Sequence, residues 1–157
     1  MNALIALRLA KHPWIAGMSS DEVRLLAEHA EEVRHPARKR IFAEGDPADR
    51  FWLIWSGRVA LDLAVPGRGT VLIETLSAGD ILGWSWLFPP YRWRFGAVAV
   101  SEVRAAEISA TAIRAHCDAD SAFCADIFRR VSVTAVDRLQ ATRLRLLDLY
   151  GTPRGAR

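Results

Sequence analysis

A chain of 157 residues holds one domain with an adequate core and leaves no room for a second full one. Hydrophobic residues make up 51% and charged residues 25%, a balance that argues against a disordered or fibrous chain. The net charge of +3 is too small to imply nucleic-acid binding unless the basic residues cluster on one face.

The stretch 1–10 is apolar, but Arg8 and Lys11 interrupt it early. It is too short to span a bilayer and lacks the charged start and small-residue cleavage site of a signal peptide, so a cytoplasmic location is expected. Residues 19–30 read as a helix, with Ser19 or Ser20 as cap, Asp21 and Glu22 at the positive end, and Val23, Leu25, Leu26 and Ala30 as the apolar side. Pro36 ends the regular pattern. Short β-type runs follow over 41–42, 51–55, 59–65 and 71–76. Val59, Leu61, Leu63 and Val65 alternate with Ala60, Asp62 and Ala64, the period of a half-buried strand. Pro66, Gly67, Arg68 and Gly69 form a hairpin turn, and two more strands are expected over 97–101 and 103–108. Many short, closely spaced strands imply a small antiparallel roll or barrel.

Beyond Ser109 the period changes. Residues 111–116 read as a short helix and 118–150 as one long helix of about 48 Å, stopped by Gly151 and Pro153. Ser132, Leu139 and Leu146 lie seven apart, with Ala135, Thr142 and Leu149 as the second seam position. The stripe either packs on the roll or joins two copies into a homodimer, and its length favours the dimer. Cys117 and Cys124 are expected as reduced thiols, about 10 Å apart on helical spacing and too far for a disulfide. The grouping of His116, Cys117, Asp118, Asp120 and Cys124 matches no common zinc spacing, so no metal is expected. No triad, phosphate loop or carboxylate pair marks an enzyme.

The run 41–59, with Glu44-Gly45-Asp46 followed by a strand ending in Ser56-Gly57, closely resembles the opening strands of cyclic-nucleotide-binding domains. Gly79-Asp80-Ile81-Leu82-Gly83 is similar to the start of that family's phosphate-binding cassette, and His12-Pro13-Trp14 fits its beginning. The likeness covers nearly the whole chain. It implies a mainly β fold with flanking helices, a β-roll of the double-stranded β-helix or jelly-roll kind. One domain spans 1–150, with a helical part over 10–30, the roll over 31–109 and C-terminal helices over 110–150; 151–157 is a tail. The layout is nearest to the sensor half of catabolite activator (Crp/Fnr) regulators. Because the chain ends soon after the long helix, no helix-turn-helix domain is expected, and hence no sequence-specific DNA binding. Arg129, Arg130, Arg138, Arg143 and Arg145 offer only weak electrostatic contact with DNA.

In the family a cyclic phosphate sits at the start of a short helix, an arginine closes over it, and a glutamate after the cassette glycine accepts from the ribose. The resemblance carries Gly83, Trp84, Ser85, Arg94, Phe95 and Thr142 into the ligand site. Arg94 falls at the phosphate arginine, with Arg92 as its neighbour and competitor. Trp84 replaces the glutamate, and Phe95 replaces the usual small hydroxyl residue. Both departures remove polar partners and weaken the case for ordinary cAMP recognition, although a cyclic nucleotide, cAMP or cGMP, remains the ligand the family implies. Thr142 either reaches the base or satisfies its own helix carbonyl. The aromatic run Trp84, Trp86, Phe88, Tyr91, Trp93 and Phe95 either packs under the roll or is exposed to a protein partner, and Trp86, Tyr91 and Trp93 join Leu139, Leu146 and Leu149 as interface candidates. Two readings stay open: a ligand-sensing regulatory module acting on a protein partner through its C-terminal helix, or an interaction module that kept only the fold.

Overall fold

The computed structural model of the protein describes residues 3–151. Helix α1 (Ala3–Ala10) forms where Ile5 and Leu9, four residues apart, share one face, and both are buried. A 3-10 turn (Pro13–Ile15) follows, with His12 as its cap. Helix α2 (Ser20–Glu28) opens on a full capping box, in which Ser19 Oγ accepts from the Glu22 N–H at 3.2 Å and Glu22 Oε2 accepts from the Ser19 N–H at 2.8 Å.

The strands are β1 (Ala30–His35), β2 (Arg40–Phe42), β3 (Arg50–Ser56), β4 (Val59–Val65), β5 (Gly69–Leu76), β6 (Ile81–Leu82), β7 (Gly96–Ala99) and β8 (Val103–Ser109). They make two four-stranded antiparallel sheets, ordered β1-β8-β3-β6 and β2-β7-β4-β5. This is the expected β-roll. Ala30, placed in the helix by its apolar spacing, instead begins β1. That strand carries the exposed Glu31, Glu32 and Arg34, and its pairing with β8 from Ala30↔Ile108 to His35↔Val103 supplies what its composition lacks. The alternation in β4 holds for Val59 and Leu61, which are buried, and fades past a bulge at Leu61/Asp62.

Strand β3 buries four consecutive residues, Phe51 to Ile54, because both of its faces are covered. Phe51 stacks on Trp86 with centroids 4.5 Å apart and lies 6.3 Å from Trp14. Trp52, whose side chain alternates to the opposite face, stacks on Phe42 at 5.5 Å and approaches Trp93 at 6.0 Å.

The chain divides at Ala119/Asp120 into two compact units. Helix α3 (Ala110–Ala119) closes the first; helix α4 (Ser121–Gly151) makes up the described part of the second. The expected long helix thus starts three residues later than 118. Asp120 interrupts the run, its Oδ1 accepting from the N–H groups of Ala122 and Phe123 at 3.0 and 3.1 Å, a cap for α4. Gly151 is the last residue of α4. Pro153 and the tail over 152–157 lie outside the described residues, as do 1–2. Cys117 and Cys124 form no disulfide among the described residues. Among the described residues no helix is long and apolar enough to cross a membrane.

His12 is buried and held at both ring nitrogens: Nδ1 accepts from the Trp14 N–H at 3.2 Å, so Nε2 carries the proton toward the Ile54 carbonyl at 3.1 Å. Burial pushes its pKa below the ordinary 6.5, against a smaller opposing pull from the Ile54 bond and Asp80. His35, with neither ring nitrogen partnered among the described residues, is lowered the same way by burial. As pH falls through 6.5, the unfolded chain takes up protons that these two folded imidazoles refuse. Their contribution is therefore complete above 6.5 and is lost toward their depressed folded values. The urea midpoint should drop between about pH 7.5 and 5.5 and drop less in a His12→Gln/His35→Gln double variant. Equal drops in the two proteins would refute this account.

Candidate functional site

The segment between β6 and β7 is pinned at its start. Gly79 donates to the Ile54 carbonyl at 2.9 Å, Ile54 donates to the Asp80 carbonyl at 3.0 Å, and Asp80 Oδ2 accepts from the Ser77 N–H at 2.8 Å. Gly83 then turns with φ +89°, and a β-carbon there would stand 2.5 Å from the Trp93 ring. Trp84 precedes a single 3-10 turn (Ser85–Leu87), closed by the Leu87 N–H on the Trp84 carbonyl at 3.0 Å. Ser85 is only 3% exposed, and its Oγ has no hydrogen-bond partner among the described residues. Such a hydroxyl is costly to bury alone and asks for a partner.

The return strand is pinned as firmly. Ala48 donates to the Tyr91 carbonyl at 2.7 Å, Trp93 to the Asp46 carbonyl at 3.0 Å, and Gly45 to the Trp93 carbonyl at 2.8 Å. Arg92 Nη1 donates to the Gly45 carbonyl at 2.8 Å, which commits it to the backbone. Arg94 is exposed and makes no hydrogen bond, ion pair or ring contact with any described residue. Of the two candidate arginines, it is the one left available for an anion. Trp84 and Phe95 meet edge to face, centroids 6.4 Å apart, so the two departures from the family pattern form one half-buried pair of rings.

The aromatic run separates by depth. Trp86 and Trp93, expected at an interface, are 0% and 3% exposed. That expectation is corrected: Trp86 lies against Phe51 and donates from Nε1 to the Gly83 carbonyl at 3.2 Å, while Trp93 lies 4.0 Å from Phe42. Tyr91 and Phe88 are exposed.

On α4, Leu139, Leu146 and Leu149 are exposed, whereas Phe123, Ile127 and Val131 earlier in the helix are buried. Val133, Val136, Leu144 and Leu147 are exposed as well. Val133, Val136 and Leu147 lie on a stripe rotated from Leu139 by roughly 60–120° at 100° per residue. The apolar surface is therefore broader than a single seam. Thr142 Oγ1 donates to the Arg138 carbonyl at 2.9 Å, the self-satisfied arrangement of its two readings.

Two features escaped the sequence. Arg114 of α3 donates to the Trp86 carbonyl at 2.7 Å and lies 4.4 Å over the Tyr91 ring; both partners are distant in the chain, and neither is a charge that patterning could flag. Arg40 and Asp62 form a two-point ion pair across Gly96, where a β-carbon would fall 2.3 Å from Asp62 Oδ1. The Asp62 bond raises the Arg40 pKa against a smaller cost of burial.

A roll whose cassette lies between two glycine-framed strands defines a regulatory ligand-binding domain. The family model for the cyclic nucleotide-binding domain matches residues 32–120, more than half of the chain, and the chain belongs to that family. It is similar to the CRP-like cAMP-activated global transcriptional regulator of Mycobacterium tuberculosis, with 28% identity over 144 residues, 92% of this chain and 62% of that protein. It thus spans about three-fifths of the length of that relative. Among solved structures it is similar to a cyclic nucleotide-binding domain from Methylobacillus flagellatus (TM-score 0.76, 23% identity, 92% of this chain and 81% of that one). It is also similar to the catabolite activator protein of Thermus thermophilus (TM-score 0.67, 23% identity, 88% and 63%). The family is one of regulatory domains and not of enzymes.

Gly83→Ala should destabilise the fold by at least about 2 kcal/mol, because strained φ and a clash with the held Trp93 ring add together. Gly45→Ala meets nothing within 4 Å and should lose only the φ term, about 1 kcal/mol. Urea denaturation of the two variants checks the difference; equal losses would remove the role assigned to the Trp93 contact.

Proposed function

We propose that this domain is a regulatory sensor for an anionic ligand of the cyclic-nucleotide class, held by Arg94 and the Ser85 turn, with a cassette that disfavours cAMP itself. The observation that carries this reading is the unpartnered Arg94 beside the Trp84–Phe95 ring pair. A free guanidinium grips a phosphate by two parallel bonds, and the buried Ser85 hydroxyl is in want of a partner. The rings stand where the family pattern places a ribose acceptor and a small hydroxyl residue, so they remove hydrogen bonds and fill space. Thr142 is a poor candidate for base contact while it is engaged with Arg138. Ligand binding would act on a protein partner through α4 by shifting an existing equilibrium.

Calorimetric titration with cAMP, cGMP and cyclic dinucleotides tests the reading. Wild type should bind cAMP no tighter than about 10 μM, near −7 kcal/mol. Trp84→Glu should return one acceptor, a gain of about 1.5–3 kcal/mol, and Trp84→Glu/Phe95→Ser should exceed either single change. Arg94→Ala in the double variant should abolish binding. Tight cAMP binding by the wild type would overturn the role given to Trp84. The second reading, an interaction module that keeps only the fold, is favoured by the same ring pair. It predicts that no cyclic nucleotide binds and that Arg94→Ala is silent.

The domain is further proposed to be a homodimer joined along α4. A row of exposed leucines at 139, 146 and 149, flanked by Val136 and Leu147, is more apolar surface than one solvated helix ordinarily carries. Light scattering at tens of micromolar should give twice the chain mass, and Leu139→Asp/Leu146→Asp should give the monomer. A monomeric wild type would remove this part of the proposal.

A further inference from the structure

His29 and His116 are two of four histidines in the chain and lie 87 residues apart. His29 ends α2, its N–H bonded to the Leu26 carbonyl at 3.2 Å and its own carbonyl taken by the Ser109 N–H at 3.0 Å. His116 stands in the last turn of α3. Each backbone is therefore fixed by its helix, and the two half-buried rings converge so that Nε2 lies 3.3 Å from Nε2, with centroids 5.4 Å apart and planes at 48°.

An N–H donor usually stands nearer, about 2.9–3.0 Å from its acceptor. Two imidazole nitrogens on one tetrahedral ion at about 2.0–2.1 Å stand roughly 3.3–3.4 Å apart. The observed separation is long for the first and matches the second. We propose that His29 and His116 are an open, exchangeable site for a borderline divalent ion of the zinc type, bound through both Nε2 atoms. Imidazole suits zinc, copper and nickel among the first-row ions.

The approach favours a cation. His29 also lines an open cleft of about 390 Å³ with Glu31, Asp49, Arg50 and Glu107, three carboxylates against one guanidinium. Arg50 engages Asp49 and Glu107 at 3.1 and 2.7 Å, while Glu31 has no ion pair among the described residues. No third histidine, cysteine or carboxylate closes on the pair among the described residues, so water completes the coordination. Such a site exchanges its ion, unlike the closed four-ligand sites that hold zinc for structure. Loading it joins the end of α2 to the end of α3.

The probe is zinc chloride titrated calorimetrically into the full chain at about pH 7.5 in a non-coordinating buffer. One ion should bind per chain, and the affinity should fall by at least about tenfold in His29→Gln and in His116→Gln, a loss seen even for groups that only support a ligand. Zinc should raise the melting temperature of wild type and of Arg94→Ala, but of neither histidine variant; melting curves without metal report that the variants fold. Cobalt(II) should bind without a thiolate charge-transfer band, which separates this pair from Cys117 and Cys124. No zinc bound by wild type, undiminished binding in either histidine variant, or a site lost with Cys124→Ser would overturn the proposal.

Discussion

The outer edge of the Trp93 ring closes on Gly83, and most of the cassette's shape follows from that one contact. The ring can take this place only because position 83 has no β-carbon, and Phe42 stacks on one of its faces. Phe42 in turn stacks on Trp52 of β3, so the end of β6, the return to β7, and strands β2 and β3 are bound through three rings. On the opposite face of β3, Phe51 repeats the device with Trp86 and Trp14. The cassette therefore has little freedom at Gly83, Trp86 or Trp93. Change is left to the more accessible residues beside this frame, namely Trp84, Arg94 and Phe95.

The frame was legible because tight corners need backbone angles that few residues other than glycine adopt, and Gly45, Gly57, Gly79 and Gly83 all take φ near +90°. Strand β1 was not legible. Its stability resides in the partner strand β8, and a window containing Glu31, Glu32 and Arg34 carries no sign of that. Strand β6 was hidden by its length of two residues. The depth of the aromatic run was half legible: six rings exceed what one loop can bury, yet β3 offers two faces, and Trp86 and Trp93 each take one. Asp120 looks like interior helix in the sequence because capping is a matter of which backbone groups are free, and these are visible only once the helix ends are known.

In the candidate site the sequence names residues without their relations. Trp84 and Phe95, eleven positions apart, look like separate losses in the sequence; in space they are one edge-to-face pair, so removing either leaves the other ring in place. Arg92 and Arg94 look equivalent on paper. The Gly45 carbonyl separates them by holding Arg92 and leaving its neighbour's charge to solvent. Thr142 shows the same limit from the other side, since a hydroxyl on a helix can always turn back to the carbonyl four residues earlier.

Arg114 gives α3 a two-point grip on the cassette turn, one bond to the Trp86 carbonyl and one face on Tyr91. A flat guanidinium fixed at two places behaves as a strut, able to transmit rotation as well as pull. The turn and α3 are thus joined through one side chain, as two plates are by a bracket. A lysine in its place would keep the bond but act as a tether, and the turn would then be able to pivot without turning the helix.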